Sequence, residues 1–313
     1  MDLISGRIDY LPMNNRPVIR WPDNARLALW ISPNIEHYEF FPKKNPLRDA
    51  WPRTPHPDIQ QYSYRDYGNR VGFWRMLEVI DHHQLRCTAS LNLGVLELYP
   101  QIKEAMIRRD WAFMGHGIFN TQFLHGMDED QEREWIQANQ KLLYDHTGKK
   151  LLGLFGPNGS STEVTSDLMA EEGMLYHCEY WHDDQPTPLN VRSGQLISVP
   201  YSIEINDSPT INNGFGEIDR FCQSIRDQFD RLYAEGESTG KVMCIGLHPY
   251  IIGKPHRIEA FNEVLTYILG HPLVWQTTAD EIAKYFMEHY YEQFVQHAKT
   301  LQEKYGLSGR LDQ

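Results

Sequence analysis

The chain has 313 residues, of which 41% are hydrophobic and 23% charged; 30 Lys and Arg stand against 42 Asp and Glu, a formal net charge of −12. That balance is ordinary for a folded domain and excludes a disordered or fibrous chain. It also argues against sequence-independent nucleic-acid binding, which needs clustered cations to displace counterions from phosphates. No segment approaches the roughly 20 apolar residues of a membrane span. The start, MDLISGRIDYLPMNN, carries acidic residues and no apolar leader core. The expectation is a cytoplasmic enzyme with a small-molecule substrate and no nucleic-acid or membrane partner. The four cysteines, Cys87, Cys178, Cys222 and Cys244, are widely spaced and form no C-x-x-C pair, so they read as buried free thiols of a reducing compartment.

Short apolar runs alternate with longer amphipathic stretches, the pattern of a parallel sheet wrapped by helices. The runs that read as strands are Arg26–Ser32, Cys87–Leu93, Ala112–Gly115, Leu151–Phe155, Leu175–Tyr180, Ile197–Tyr201, Val242–Leu247 and Val274–Thr277. Among the helical stretches, Tyr67–His83 places Val71, Trp74, Leu77 and Ile80 three residues apart. Glu129–His146 is opened by Asp128 with Gln131 three residues on, a capping box, and closed by Gly148. Thr162–Glu172 ends at Gly173, Ile218–Ala234 stops before Gly236, and His256–Leu269 follows Pro255. A last long helix begins near Thr278, where Thr278 and Glu281 form a second capping box.

Two stretches read as loops, Phe41–Ser63 with five prolines and the Asn- and Gly-rich Ile205–Gly216. Loops of this length commonly wall a binding site. The alternation resumes in the same style after each, so one domain over 1–313 is expected, with its core at about 21–286 and a C-terminal helix over 280–304. The expected fold class is α/β, a distorted (β/α) barrel with parallel strands.

In such a barrel the C-terminal strand ends meet at one face, where active sites sit. Polar residues gather at those ends: Asn34 and Glu36 after the first run, His116 and Asn120 after the third, and Asn158 after the fourth. His182, Asp183 and Asp184 follow the fifth, and His248 follows the seventh. Each alone has a plain alternative as a solvated carboxylate, a hydrogen-bonded structural histidine or a turn residue. Their shared phase with the strands makes the set informative. The aromatics Trp181, Tyr38, Phe40, Phe119 and Phe123 either wall a planar ring or pack a core.

These residues and their order resemble the NodB-type polysaccharide deacetylase superfamily, and within it the branch of metal-independent allantoinases and cyclic-imide hydrolases. The likeness runs from about Trp21 to Phe286. It rests on Trp21-Pro22-x-Asn24-Ala25-Arg26, Tyr67-Gly68-x-Arg70-x-Gly72-x-Trp74-Arg75, His116-Gly117 and the Tyr176–Pro186 segment. It continues through Pro200-Tyr201, Asn206-Asp207, and Ile245-Gly246-Leu247-His248 with Gly253-x-Pro255-x-Arg257. In the metal-dependent members two aspartates end the first strand, one a base and the other a metal ligand alongside the two histidines of H-x-x-x-H. A late Leu-His pair supplies the acid. The resemblance puts Asn34 at the base, Glu36 at the metal-binding aspartate, His116 and Asn120 at the two histidines, and His248 at the acid.

With Asn34 unable to take a proton and Asn120 a weak ligand, the implied enzyme is a hydrolase of a small amide, cyclic ureide or cyclic imide that requires no cofactor. Glu36 activates water with His116 beside it, and His116 itself is the competing base. His248 protonates the leaving nitrogen or steadies the oxyanion. Asn34, Asn120, Asn158, Trp181, Asp183 and Asp184 form the substrate-binding set, Asp183 or Asp184 orienting His116 or a ring N–H. The alternatives are a metal-dependent deacetylase, with zinc on Glu36, His116 and Asn120, and a degenerate member that binds without turnover. Arg70 and Arg257 either meet a carboxylate or tie loops. Phe286, Tyr290, Tyr291 and Phe294 on the last helix suggest a homo-oligomer, or else closure of the chain's own barrel.

Overall fold

Every residue of Leu27–Ile35 is buried, and this nine-residue strand, β1, is the spine of the sheet. Its side chains alternate between two environments, as a strand must. Leu27, Leu29 and Ile31 join the core beneath the surrounding helices, while Ala28 and Trp30 face the barrel interior. The computed structural model describes residues 6–43, 57–212 and 217–306. The other strands are β2 (Thr88–Leu91), β3 (Ala112–Gly115), β4 (Gly153–Leu154), β5 (Tyr176–His177), β6 (Thr187–Leu189), β7 (Leu196–Ser198), β8 (Lys241–Leu247) and β9 (Val274–Gln276).

The sheet has nine strands in the order β6-β7-β5-β4-β3-β2-β1-β8, with β9 also paired to β1. All pairings are parallel except β6 with β7. Among the described residues the two ends of this order, β6 and β8, form no ladder; one isolated bridge, Asn206 to Gly246, lies on that side of β8. The wall is therefore a curled sheet with a seam, the distorted α/β barrel that the sequence implies.

The helices are α1 (Ile59–Tyr67), α2 (Phe73–His82), α3 (Val95–Leu98), α4 (Pro100–Arg108), α5 (Glu129–Thr147), α6 (Thr165–Glu171), α7 (Ile218–Glu235), α8 (Pro249–Ile252), α9 (Ile258–Leu269), α10 (Ala279–His289) and α11 (Tyr291–Tyr305). Both expected capping boxes form, Asp128 with Gln131 and Thr278 with Glu281, and Gly148 ends α5 at φ 69°.

Several expectations need correction. The first strand runs on to Ile35, so Asn34 lies within it. The fourth and fifth runs form only two-residue ladders. Strand β6 and helices α3, α4 and α8 were not foreseen. Residues 59–63, expected as loop, begin α1, while the neighbouring 44–56 and 213–216 lie outside the described residues. The helical stretch 59–82 buries Phe73, Met76, Leu77 and Ile80 and leaves Val71 and Trp74 exposed.

The last helix is divided at Tyr290 into α10 and α11. Phe286 and Phe294 are fully buried with Trp30 in the interior cluster, and Tyr291 packs there too. Those aromatics close the chain's own barrel.

The Tyr67–Arg75 motif acquires a physical reason here. A π-helical turn, Gly68–Gly72, joins α1 to α2 against α8. A Cβ on Gly72 would stand 2.0 Å from the Pro249 carbonyl oxygen, so only glycine admits this approach. Within the same turn the Asn69 amide donates to the Glu36 carbonyl at 2.8 Å. The motif thus ties the end of β1 to the helix that follows His248.

Candidate active site

The alternation that fills the barrel also aims the polar residues. On β8, Val242 and Cys244 face inward while Met243, Ile245 and Leu247 face the helices, and His248 follows in the inward phase. On β3, Met114 is inward and Phe113 outward, so His116 is inward. On β1 the inward series Ala28, Trp30, Ser32 and Asn34 leads to Glu36. A cavity of about 370 Å³ opens where these series end, and Glu36, His116 and His248 all line it. That volume is at the small end of ligand pockets.

Glu36 is the hub. Its Oε1 lies 3.5 Å from His116 Nε2 and 3.5 Å from His248 Nε2. Its Oε2 accepts the Tyr38 hydroxyl at 3.0 Å, and that hydroxyl accepts from the Asn120 amide. The Arg65 guanidinium lies 4.5 Å from the centre of the Tyr38 ring. His116 Nδ1 meets the Phe155 carbonyl, which can only accept, so Nδ1 carries a proton and Nε2 is the nitrogen turned toward Glu36. His248 Nδ1 meets Asp207 Oδ1 at 2.7 Å, and its backbone N–H donates to both carboxylate oxygens at 3.0 and 2.9 Å.

Burial opposes every charge in this cluster, yet the charges occur in opposite-sign pairs. Burial pushes the Glu36 carboxyl up, but the charge of His248 and the hydrogen bonds to both imidazoles outweigh it and hold Glu36 well below the usual carboxylate range. Burial lowers His248, and against it the charges of Glu36 and Asp207 push this imidazole up to about 10. It is an imidazolium at neutral pH. Burial likewise pushes Asp207 up, against its bonds to His248.

Of the substrate-binding set, Asn34, Asn120, Asn158 and Trp181 line the cavity. Asn34 is held by its amide, which donates to the Tyr201 hydroxyl at 3.1 Å and the Leu247 carbonyl at 3.2 Å. Asp183 and Asp184 do not line the cavity, which corrects their assignment. After Trp181 the chain turns back to form antiparallel β6 and carries both residues toward the start of β8. Asp183 there binds Arg16 at 2.8 and 2.9 Å, and the Asp184 carbonyl accepts Val242 N–H at 2.9 Å.

Of the aromatics, Tyr38, Trp181 and Phe123 line the cavity. Phe119 packs against His37, and Phe40 against Phe41 and Tyr62. Arg70 pairs with Asp66 on the surface and Arg257 donates to the Ile251 carbonyl, so both tie local structure. Sequence reasoning gave no role to Asp207, Arg65, Asn206, Phe155 or Tyr250, which reach the cluster. Asp207 had a signal, since Asn206-Asp207 belonged to the resemblance.

No family model matches the chain. A Schizosaccharomyces pombe protein named for polysaccharide deacetylation is 27% identical over 301 residues, covering 87% of this chain and 93% of the relative. Among solved structures, PuuE allantoinase superposes with a TM-score of 0.78 at 29% identity, over 90% of this chain and 99% of its own. A Pseudomonas aeruginosa PAO1 protein, also named for polysaccharide deacetylation, gives 0.79 at 28% identity, over 88% and 96%. The chain has the NodB-type polysaccharide deacetylase fold. It is a carbon–nitrogen hydrolase of the deacetylase superfamily. No helix among the described residues is long and apolar enough to cross a membrane.

The metal used by many NodB-fold enzymes finds a poor donor set here. Catalytic zinc takes three side-chain ligands in open tetrahedral geometry. Among the described residues no three His, Cys, Asp or Glu side chains converge to hold an ion. At the second histidine position Asn120 commits its amide nitrogen to Tyr38 and offers only a neutral oxygen. These residues do not fit a tightly held zinc.

Proposed function

We propose that the protein hydrolyses a C–N bond in a small planar amide, cyclic ureide or cyclic imide, with water activated by side chains alone. The observation that carries this reading is the convergence of Glu36 with two imidazoles of different character in a cavity of about 370 Å³. His116 in its neutral form can take a proton at Nε2 and His248 carries one, so one can accept what the other must give. The cavity wall also carries the carboxamides of Asn34, Asn120, Asn158 and Asn206. Asn120 spends its nitrogen on Tyr38 and keeps its oxygen as an acceptor, and Asn158 adds a carboxamide with a donor and an acceptor, a set that suits the N–H and C=O edge of a ureide or imide.

In the proposed reaction a water between Glu36 and His116 attacks the ring carbonyl carbon. Its proton passes to His116 Nε2, and the Glu36 charge stabilises the imidazolium that forms. Glu36 alone is a weak base, because its carboxyl is held so low. Asn158 and backbone N–H groups of its loop receive the oxyanion. As the tetrahedral intermediate collapses the C–N bond breaks, and the nitrogen takes the proton from His248 Nε2. The product carries a carboxyl group and a free amine or urea nitrogen.

The experiment is a hydrolysis screen of cyclic ureides, imides and N-acyl amines, with and without chelator, on wild type, Glu36→Gln and His248→Ala. Each substitution is expected to cost about 10²–10⁴-fold, His248→Ala as loss of a general acid and Glu36→Gln as loss of the charge that supports the base. Near wild-type turnover in either variant refutes the roles given. A second reading, de-N-acetylation of a sugar, is favoured by the names of the S. pombe and P. aeruginosa relatives. Activity that vanishes with chelator and returns with zinc supports it.

A further inference from the structure

Asn158 sits in the left-handed region at φ 57° and ψ 24°, and Gly159 follows at φ 60°. Asn tolerates that region better than other side-chain-bearing residues, and the loop that presents it is fixed at both ends. The hold comes from outside the cavity. Glu179 lies just past β5, its side chain 9% exposed, and takes no part in the cavity wall. Its Oε1 accepts the Gly156 N–H at 2.6 Å and its Oε2 accepts the Ser161 N–H at 3.0 Å. The two ends of the Asn158 loop therefore hang on one carboxylate.

Further bonds fix the same clamp. His177 Nε2 meets the Ser161 hydroxyl at 3.1 Å, and its Nδ1 meets the Ser166 hydroxyl at 3.1 Å. A Cβ on Gly156 would stand 2.8 Å from Glu179 Oε1, so glycine is needed for the carboxylate to reach its N–H. We infer that Glu179 is a positioning residue. It closes the 156–161 loop so that the Asn158 side chain meets the substrate carbonyl. The inference rests on the hydrolytic reading above.

The test is a double-mutant cycle of Glu179→Gln and Asn158→Ala on the best substrate from the screen. The carboxamide introduced by Glu179→Gln turns an NH₂ toward one of the two N–H groups and so releases one end of the clamp. Alone, E179Q is expected to lower kcat/KM on the order of 10- to 100-fold, the worth of one or two lost charge-assisted hydrogen bonds. On the N158A background it is expected to add less than about 3-fold, since the residue it positions is gone. An undiminished penalty there, or wild-type kcat/KM for E179Q alone, overturns the inference.

If E179Q does not fold, Glu179→Asp replaces it, keeping the charge on a stem too short for both N–H groups. If wild type hydrolyses nothing in the screen, the hydrolytic reading is what fails. The clamp is then read by amide hydrogen exchange: Gly156 and Ser161 are expected to exchange about 10-fold faster or more in the Glu179 variant, and unchanged exchange overturns it.

Discussion

Replacing Asp207 by Asn removes the carboxylate at His248 Nδ1 while keeping an oxygen that can accept its proton. His248 stands at about 10, against the ordinary 6.5. That difference corresponds to roughly 4–5 kcal/mol in favour of the imidazolium, after a burial penalty of opposite sign. Glu36 supplies the largest opposing charge, and Asp207 adds both its charge and its hydrogen bond. Losing the Asp207 charge is therefore expected to lower His248 by about one to two pH units, at 1.36 kcal/mol each. The proposed chemistry needs the protonated form, so activity is lost as pH rises through this pKa. The alkaline limb of kcat/KM is expected near pH 10 in the wild type and clearly lower in Asp207→Asn.

A pH series from 6 to 11, with imidazole C–H resonances followed in parallel, measures both. A folded variant whose alkaline limb does not move refutes the argument, as does a wild-type His248 that titrates near 6.5. The same cluster links stability to pH. The raised pKa of His248 gives a contribution complete below about 6.5 that is lost as pH rises to about 10. Glu36, held low, contributes above its ordinary 4.5 and loses that as pH falls.

Prolonged chelation with metal analysis is expected to leave turnover intact, and loss of activity restored only by zinc or cobalt contradicts the proposed chemistry. Asp183→Asn breaks a largely buried pair with Arg16, neither member of which lines the cavity, so kcat and KM should stay within about 2-fold while thermal denaturation shows a loss of up to about 3–5 kcal/mol. Phe294→Ala is expected to cost about 3–5 kcal/mol, because Phe294 is fully buried against the barrel interior. A melting point near that of wild type shows instead that α11 is dispensable to the fold.

What the sequence revealed follows from local rules. Both capping boxes, the glycine ending α5 and the bounds of β3 are set by neighbouring residues, and they form as read. Glu36, His116 and His248 were legible because period-two alternation continues past each strand end and aims them inward. The two-residue ladders of β4 and β5 were not legible, since curling of the wall shortens pairing without changing the apolar run. Strand β6 contains Pro188 and only three residues, too little for a pattern. Asp183 and Asp184 were misplaced because antiparallel β6 turns the chain back, a matter of topology that residue types do not announce. Asp207 lies 41 residues from the imidazole it supports, in a stretch without periodicity.

The open side of β8 has a mechanical consequence. Among the described residues Asn206 forms the one isolated bridge there, to Gly246, and Asp207 is the next residue along. Parting Asn206 from Gly246 would draw the counter-charge away from His248 in the same movement that loosens the wall. For the proposed chemistry, protonation of His248 and closure of the wall are therefore expected to change together, and solvent exchange of the Gly246 and His248 amides measures both.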